Sequence, residues 1–95
     1  MGRVEDNDIR RVLRMEELFI RAKLMIDQVE DVDELDDEVC WEFMKLDDYF
    51  ESPEWQEDHE RYERGEFPDG LLTDVLSEDA IYDLLERYRE LGGYL

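Results

Sequence analysis

The chain has 95 residues, with 30 Asp/Glu against 11 Lys/Arg and a formal net charge of −19. That length is enough for one domain with a modest core and no metal or disulfide staples. The lone cysteine, Cys40, excludes an intramolecular bridge and fits a reducing cytoplasm. A hydrophobic fraction of 42% argues against disorder, and no segment approaches membrane-spanning length. The start, Met1 to Asp6, lacks the apolar run of a signal peptide. Its Met-Gly opening departs from the myristoylation pattern, because Asp6 stands where Ser or Thr is needed.

The charge is uneven. Residues 1–26 carry six Lys/Arg and five Asp/Glu, whereas residues 27–63 carry seventeen acids against Lys45 and Arg61 alone. A short tail, residues 1–8, leads to a helix cap at Asn7 or Asp8. Val12, Met15, Phe19, Ala22, Ile26 and Val29 then recur at alternating spacings of three and four, with Leu18, Met25 and Val32 beside them. This is a core-facing helix with Arg10, Arg11, Arg14, Arg21 and Lys23 on a solvated basic face. Three heptads are the minimum for a coiled coil, so the seam alone does not argue for a dimer.

The first turn falls near residues 30–34, without glycine or proline to mark it. A second helix shows Leu35, Val39, Phe43, Leu46 and Phe50 on one face. Its carboxylates crowd the other, with like charges four apart at Asp33/Asp37, Glu34/Glu38, Glu38/Glu42 and Asp47/Glu51. Each such pair costs a few tenths of a kcal/mol. This crowding predicts stability that rises as pH falls from neutral toward about 5. Ser52-Pro53 opens a third helix, because a serine oxygen accepts from the free N–H groups and proline at the first position loses no bond. Trp55, His59 and Tyr62 share its face, and Gly65 ends it.

The connection from Glu66 to Leu76 is too apolar for a floppy loop. Phe67, Leu71, Leu72, Val75 and Leu76 need cover, Pro68-Asp69-Gly70 has turn chemistry, and a helical turn is expected around Leu71-Leu72. Ser77 caps a last helix from Glu78 to about Leu91, with Ile81, Leu84, Leu85, Tyr88 and Leu91 on one face and Gly92-Gly93 as the stop. The expected fold is all-α: a long antiparallel helical hairpin closed by two shorter helices, one domain over residues 9–92. Phe19, Ile26, Val39, Phe43, Leu46, Phe50, Trp55, Leu76, Ile81, Leu84 and Leu85 are the expected core.

Tyr49-Phe50-Glu51-Ser52-Pro53-Glu54-Trp55, Gly65-x-x-Pro68 and above all Val75-Leu76-Ser77-Glu78-Asp79-Ala80-x-Tyr82-x-Leu84-Leu85 carry a resemblance. With Arg14-Met15-Glu16, they resemble the bacterial domain-of-unknown-function family numbered 4298, over roughly residues 10 to 91. The resemblance implies a small, mostly helical, stand-alone bacterial protein, and it implies no activity or catalytic residues. Thr73-Asp74 depart from it, since the family pattern places basic residues there.

Catalytic, cofactor and metal sites are not expected. His59 is the one histidine and no serine or cysteine neighbours it in sequence. Asp31-x-Asp33-x-x-Asp36-Asp37 lacks the glycine and the terminal glutamate of a calcium loop. His59-Glu60-Arg61-Tyr62-Glu63 has Glu63 where a zinc-protease helix has its second histidine.

Two readings lead. In the first, the chain is a non-enzymatic interaction module for a basic protein, with acids Asp36, Asp37, Asp47, Asp48, Glu54 and Asp58 setting orientation. Aromatic anchors at Trp41, Tyr62 and Phe67 then fix the grip. In the second, the acids imitate phosphates and block the groove of a nucleic-acid-binding protein, as phage-borne inhibitors of defence nucleases do. Direct nucleic-acid binding is opposed by charge, no membrane contact is expected, and the chain is read as a cytoplasmic monomer or weak homodimer.

Overall fold

A computed structural model describes residues 5–95. The order is α1 (Asp6–Ile26), a 3₁₀ turn (Val32–Glu34), α2 (Asp37–Phe50), α3 (Pro53–Glu63), a second 3₁₀ turn (Asp74–Leu76) and α4 (Glu78–Glu90). Among the described residues there is no strand, and the molecule measures 45 × 22 × 19 Å. No described helix is long and apolar enough to cross a membrane. Residues 1–4, which hold the Met-Gly start and half of the expected tail, lie outside the described residues.

Helix α1 begins at Asp6, earlier than the expected cap, because Asp8 reaches back and accepts from the Glu5 N–H at 3.1 Å. It also ends early, at Ile26. The Gln28 and Val29 N–H groups bond three residues back, to Met25 and Ile26, and so close the helix in a tightened turn. The acidic run then builds its own corner. Asp31 accepts from the Asp33 N–H at 2.9 Å, and Glu34 accepts from the N–H groups of Glu30 at 2.8 Å and Asp31 at 3.1 Å. Carboxylates that fill free backbone donors make the turn without glycine or proline. The turn thus falls where it was expected, near residues 30–34, and α2 follows with 14 residues from Asp37, leaving Asp33 and Glu34 before the helix.

The two serine caps form as expected, with Ser52 accepting from Trp55 N–H and Ser77 from Ala80 N–H. Gly65 and Gly92, at φ 71° and 102°, end α3 and α4 in the left-handed region. Ten of the eleven expected core residues are buried, and the eleventh, Phe50, is half-buried with its ring edge-on to Trp55 at 4.8 Å. Val12, Ala22, Leu35, Tyr49, Val75 and Tyr88 complete the core.

The helical turn in the 66–76 connection sits at Asp74–Leu76 rather than at Leu71-Leu72, and it is pinned from two sides. Trp55 Nε1 donates to the Val75 carbonyl at 3.0 Å, and His59 Nδ1 to that of Leu76 at 2.7 Å. From α1, Glu16 accepts from the Val75 N–H at 2.8 Å.

Glu16 is 3% exposed and its second oxygen has no partner among the described residues. Burial raises its carboxyl above the ordinary value, with Asp74 adding repulsion. Asp47 is raised by burial and then by Glu51. Burial opposes the shift at Asp8, but the Glu5 N–H, Arg11 and Arg61 hold that carboxyl low. The raised pair bind protons that the unfolded chain releases, so their contribution grows as pH falls from neutral toward their raised pKa values. Asp8 contributes above its unfolded value, about 4, and is lost only below it. Melting temperature is therefore expected to rise from about pH 7 to about pH 5. Glu16→Gln should raise it at neutral pH and flatten the rise, since glutamine keeps the bond from Val75 without burying a charge. Thermal melts at the two pH values check both. At these two carboxyls burial comes first and neighbouring charge second, where charge spacing alone points to crowding.

Candidate partner-binding surface

Seventeen carboxylates lie between residues 27 and 63, and the fold divides them into two groups. Five are ion-paired: Asp27 with Arg87, Glu42 with Arg21, Asp47 with Arg89, Asp58 with Arg11 and Arg61, and Glu63 with His59 when that ring is protonated. The other twelve, from Glu30 to Glu60, are exposed and form no ion pair among the described residues.

Two residues expected on the acidic surface are elsewhere. Asp58 is fully buried. It accepts from Arg11 Nε at 3.0 Å, from Arg11 Nη2 at 2.7 Å and from the Tyr49 hydroxyl at 2.6 Å, and Arg61 Nη1 lies 3.7 Å away. It locks α3 to α1 and α2. Its carboxylate pushes the Arg11 guanidinium further up, and the Tyr49 hydroxyl is raised by burial and by the same carboxylate. Asp47 is 9% exposed, turned toward Arg89 of α4 at 3.5 Å. Asp36, Asp37, Asp48 and Glu54 are exposed, as the sequence pattern implied.

The cations of α1 relieve less of this charge than their number suggests. Arg21 donates to the buried Glu42 at 2.6 Å, while Arg10, Arg14 and Lys23 make no ion pair among the described residues. Further relief comes from Arg11, also on α1, from Arg61 on α3, and from Arg87 and Arg89 on α4.

The outward face of α2 carries Asp37, Trp41, Met44 and Asp48 at successive helical turns. Trp41 is 53% exposed and Met44 51% exposed, so two large apolar side chains stand in water between carboxylates. The Lys45 ammonium lies 4.0 Å from the centre of the Trp41 ring and holds one face of it. Tyr62 and Phe67 do not join this face. Tyr62 is 39% exposed and lines a polar cleft on α3 and α4 with His59, Glu63, Ser77, Glu78 and Asp79. Phe67 is half-buried and packs on the core, because the apolar connection needs its cover.

Within that cleft His59 stacks on Trp55, ring centres 4.7 Å apart. Its Nδ1 must carry the proton, since the Leu76 carbonyl only accepts, and Nε2 faces Glu63 at 3.4 Å. Ser77, distant in sequence, lines the same cleft, but its hydroxyl oxygen caps α4. Cys40 is half-buried on α2 beside Tyr88. Among the described residues no three His, Cys, Asp or Glu side chains gather where they would hold a metal ion.

Among the described residues the elements define an all-helical protein of four helices, with exposed carboxylates that form no ion pair around an apolar pair on α2. The chain belongs to the family described as Domain of unknown function (DUF4298), whose sequence profile matches residues 12–94. That span takes in every quoted motif from Arg14 to Leu85. No curated protein and no solved structure matches the chain.

Proposed function

We propose that this protein is a non-enzymatic interaction module that binds a basic protein through the outward face of α2. In this reading α1 and α2 form an antiparallel hairpin that holds the face rigid, in a cytoplasmic monomer or weak homodimer. The observation that carries it is the exposure of Trp41 and Met44 between unpaired carboxylates. An apolar side chain left in water amid charge gains most when a partner covers it, and aromatic anchors dominate ordinary interfaces. The surrounding acids select a basic partner and speed encounter.

A second reading, phosphate mimicry that blocks a nucleic-acid groove, draws support from the twelve unpaired carboxylates. Its geometry is less favourable. The 14 residues of α2 span about 21 Å, over which a duplex presents about twelve phosphates. Of the acids on α2, Asp37, Glu38 and Asp48 alone are exposed. Mimicry would need the whole span from Glu30 to Glu60 to act together.

Affinity capture of partners, followed by a salt titration with variants, separates the two. Trp41→Ala is expected to weaken binding at least about tenfold, which is about 1.4 kcal/mol. Joint replacement of Asp36, Asp37, Asp48 and Glu54 by Asn or Gln should act mainly on association rate and salt dependence. If the neutralisation abolishes binding while Trp41→Ala leaves it unchanged, mimicry replaces the anchor reading. Asp47 and Asp58 are kept intact, because neutralising them would perturb the fold.

A further inference from the structure

We propose that the groove between the start of α2 and the end of α4 receives a basic amphipathic helix from the partner. This rests on the reading that the partner is a basic protein, and it names the element recognised. The groove encloses about 670 Å³ and is lined by Leu35, Cys40, Met44, Tyr88, Leu91 and Tyr94. That volume falls among those of binding pockets, about 300–1,000 Å³. The exposed Asp31, Asp33 and Asp37 line it as well.

The walls are fixed before any partner arrives. The Val32 N–H donates to the Leu91 carbonyl at 3.0 Å and ties the first 3₁₀ turn to the end of α4. The Gly93 N–H donates to the Tyr88 carbonyl at 3.0 Å, and a Cβ at position 93 would collide with the Tyr88 ring. Tyr88 in turn stacks on the buried Phe43 with ring centres 4.3 Å apart. A prearranged groove loses little entropy on binding. Met44 and Tyr94, 51% and 92% exposed, offer apolar surface beside the lining carboxylates. The flexible thioether of Met44 adapts readily to an incoming apolar face.

Charge complementarity chooses the occupant. No Lys, Arg or His occurs between Lys23 and Lys45, and the seven carboxylates from Glu30 to Glu38 form no ion pair among the described residues. The cations near the end of α4, Arg87 and Arg89, are already engaged by Asp27, Glu86 and Asp47. An anionic or neutral occupant therefore meets uncompensated negative charge along the groove. A small cation would leave the apolar lining in water. With no strand edge among the described residues, an added β-strand has nothing to pair with. A helix with apolar side chains at i, i+3, i+4 and i+7 and Lys or Arg on its flanks satisfies the apolar lining and the carboxylates together.

The test uses the full chain and two synthetic peptides of identical composition. One places Leu and Trp on a single helical face with Lys and Arg elsewhere, and the other scrambles the order. The amphipathic peptide is expected to bind at least tenfold tighter, to gain helical circular dichroism, and to shift the Met44 methyl and the Gly92 and Gly93 amide resonances. Met44→Lys should weaken it at least tenfold, and Glu57→Gln, the same change in charge on α3, by less than twofold. Equal binding of both peptides, or shifts centred on Asp48 and Glu54, overturns the groove and leaves the basic-partner reading standing. The groove also falls if neither peptide binds while basic proteins are still captured regardless of Met44→Lys. If neither peptide nor any basic protein is retained, the groove and the reading beneath it fall together.

Discussion

Phe43→Ala is expected to destabilise the fold by about 3–5 kcal/mol. Phe43 is fully buried, and its ring lies on that of Tyr88 at an interplanar angle of 12°. Truncation forfeits the transfer energy of the ring and leaves a cavity between α2 and α4. The cavity cannot close easily, because Tyr88 is held from its other side by the backbone at Gly93. The hydroxyl of Tyr88 is pushed up to about 12 by burial and by the neighbouring Cys40 side chain, so the ring stays neutral across the working pH range. Urea denaturation of the two proteins measures the difference. Phe50→Ala, at a half-buried ring, should cost less than Phe43→Ala. A loss below about 1 kcal/mol at Phe43 would mean that the stack does not support the core.

The apolar skeleton was legible because its signal is local. Phe43 falls four residues after Val39 and three before Leu46, and helical period alone turns all three inward. Ser52-Pro53, Gly65, Ser77 and Gly92 state their roles through short-range chemistry, and they stand at the helix ends. Trp41 was legible as an outlier, a large apolar residue off the buried face. The acids were not, because period and composition assign every carboxylate to water. Glu16, Glu42, Asp47 and Asp58 leave water only where a distant donor waits: Val75 for Glu16, Arg21 for Glu42, Arg89 for Asp47, Arg11 for Asp58. Arg11 and Asp58 are 47 residues apart, and nothing in either neighbourhood names the other. The turn near residues 30–34 was expected, but what builds it was not legible, because its carboxylates cap backbone N–H groups in place of glycine or proline.

Asp58→Ala is expected to cost about 3–5 kcal/mol, as large an effect as the loss of Phe43. The reason is asymmetry. A buried ion pair adds little over a well-packed apolar replacement, but removing one partner strands the other. Here the stranded groups would be the Arg11 guanidinium and the buried Tyr49 hydroxyl, both of which donate to Asp58. Asp58→Asn keeps the shape and some hydrogen bonds but loses the charge facing Arg11 and Arg61, so it should fall between wild type and alanine. Tyr49→Phe removes one donor and leaves the carboxylate with Arg11, so about 1–3 kcal/mol is expected. The decisive measurement is the cycle with Arg11→Met. The double variant Arg11→Met/Asp58→Leu should be less destabilised than the sum of its single changes, because neither charge is left alone. Additive losses would mean that Arg11 and Asp58 act separately. The outcome also governs how partner binding is read. A variant that loses Asp58 loses the joint between α3 and the first two helices, so weaker binding in it would report unfolding. The exposed carboxylates that form no ion pair among the described residues, Asp36, Asp37, Asp48 and Glu54, are the ones whose removal tests the surface itself.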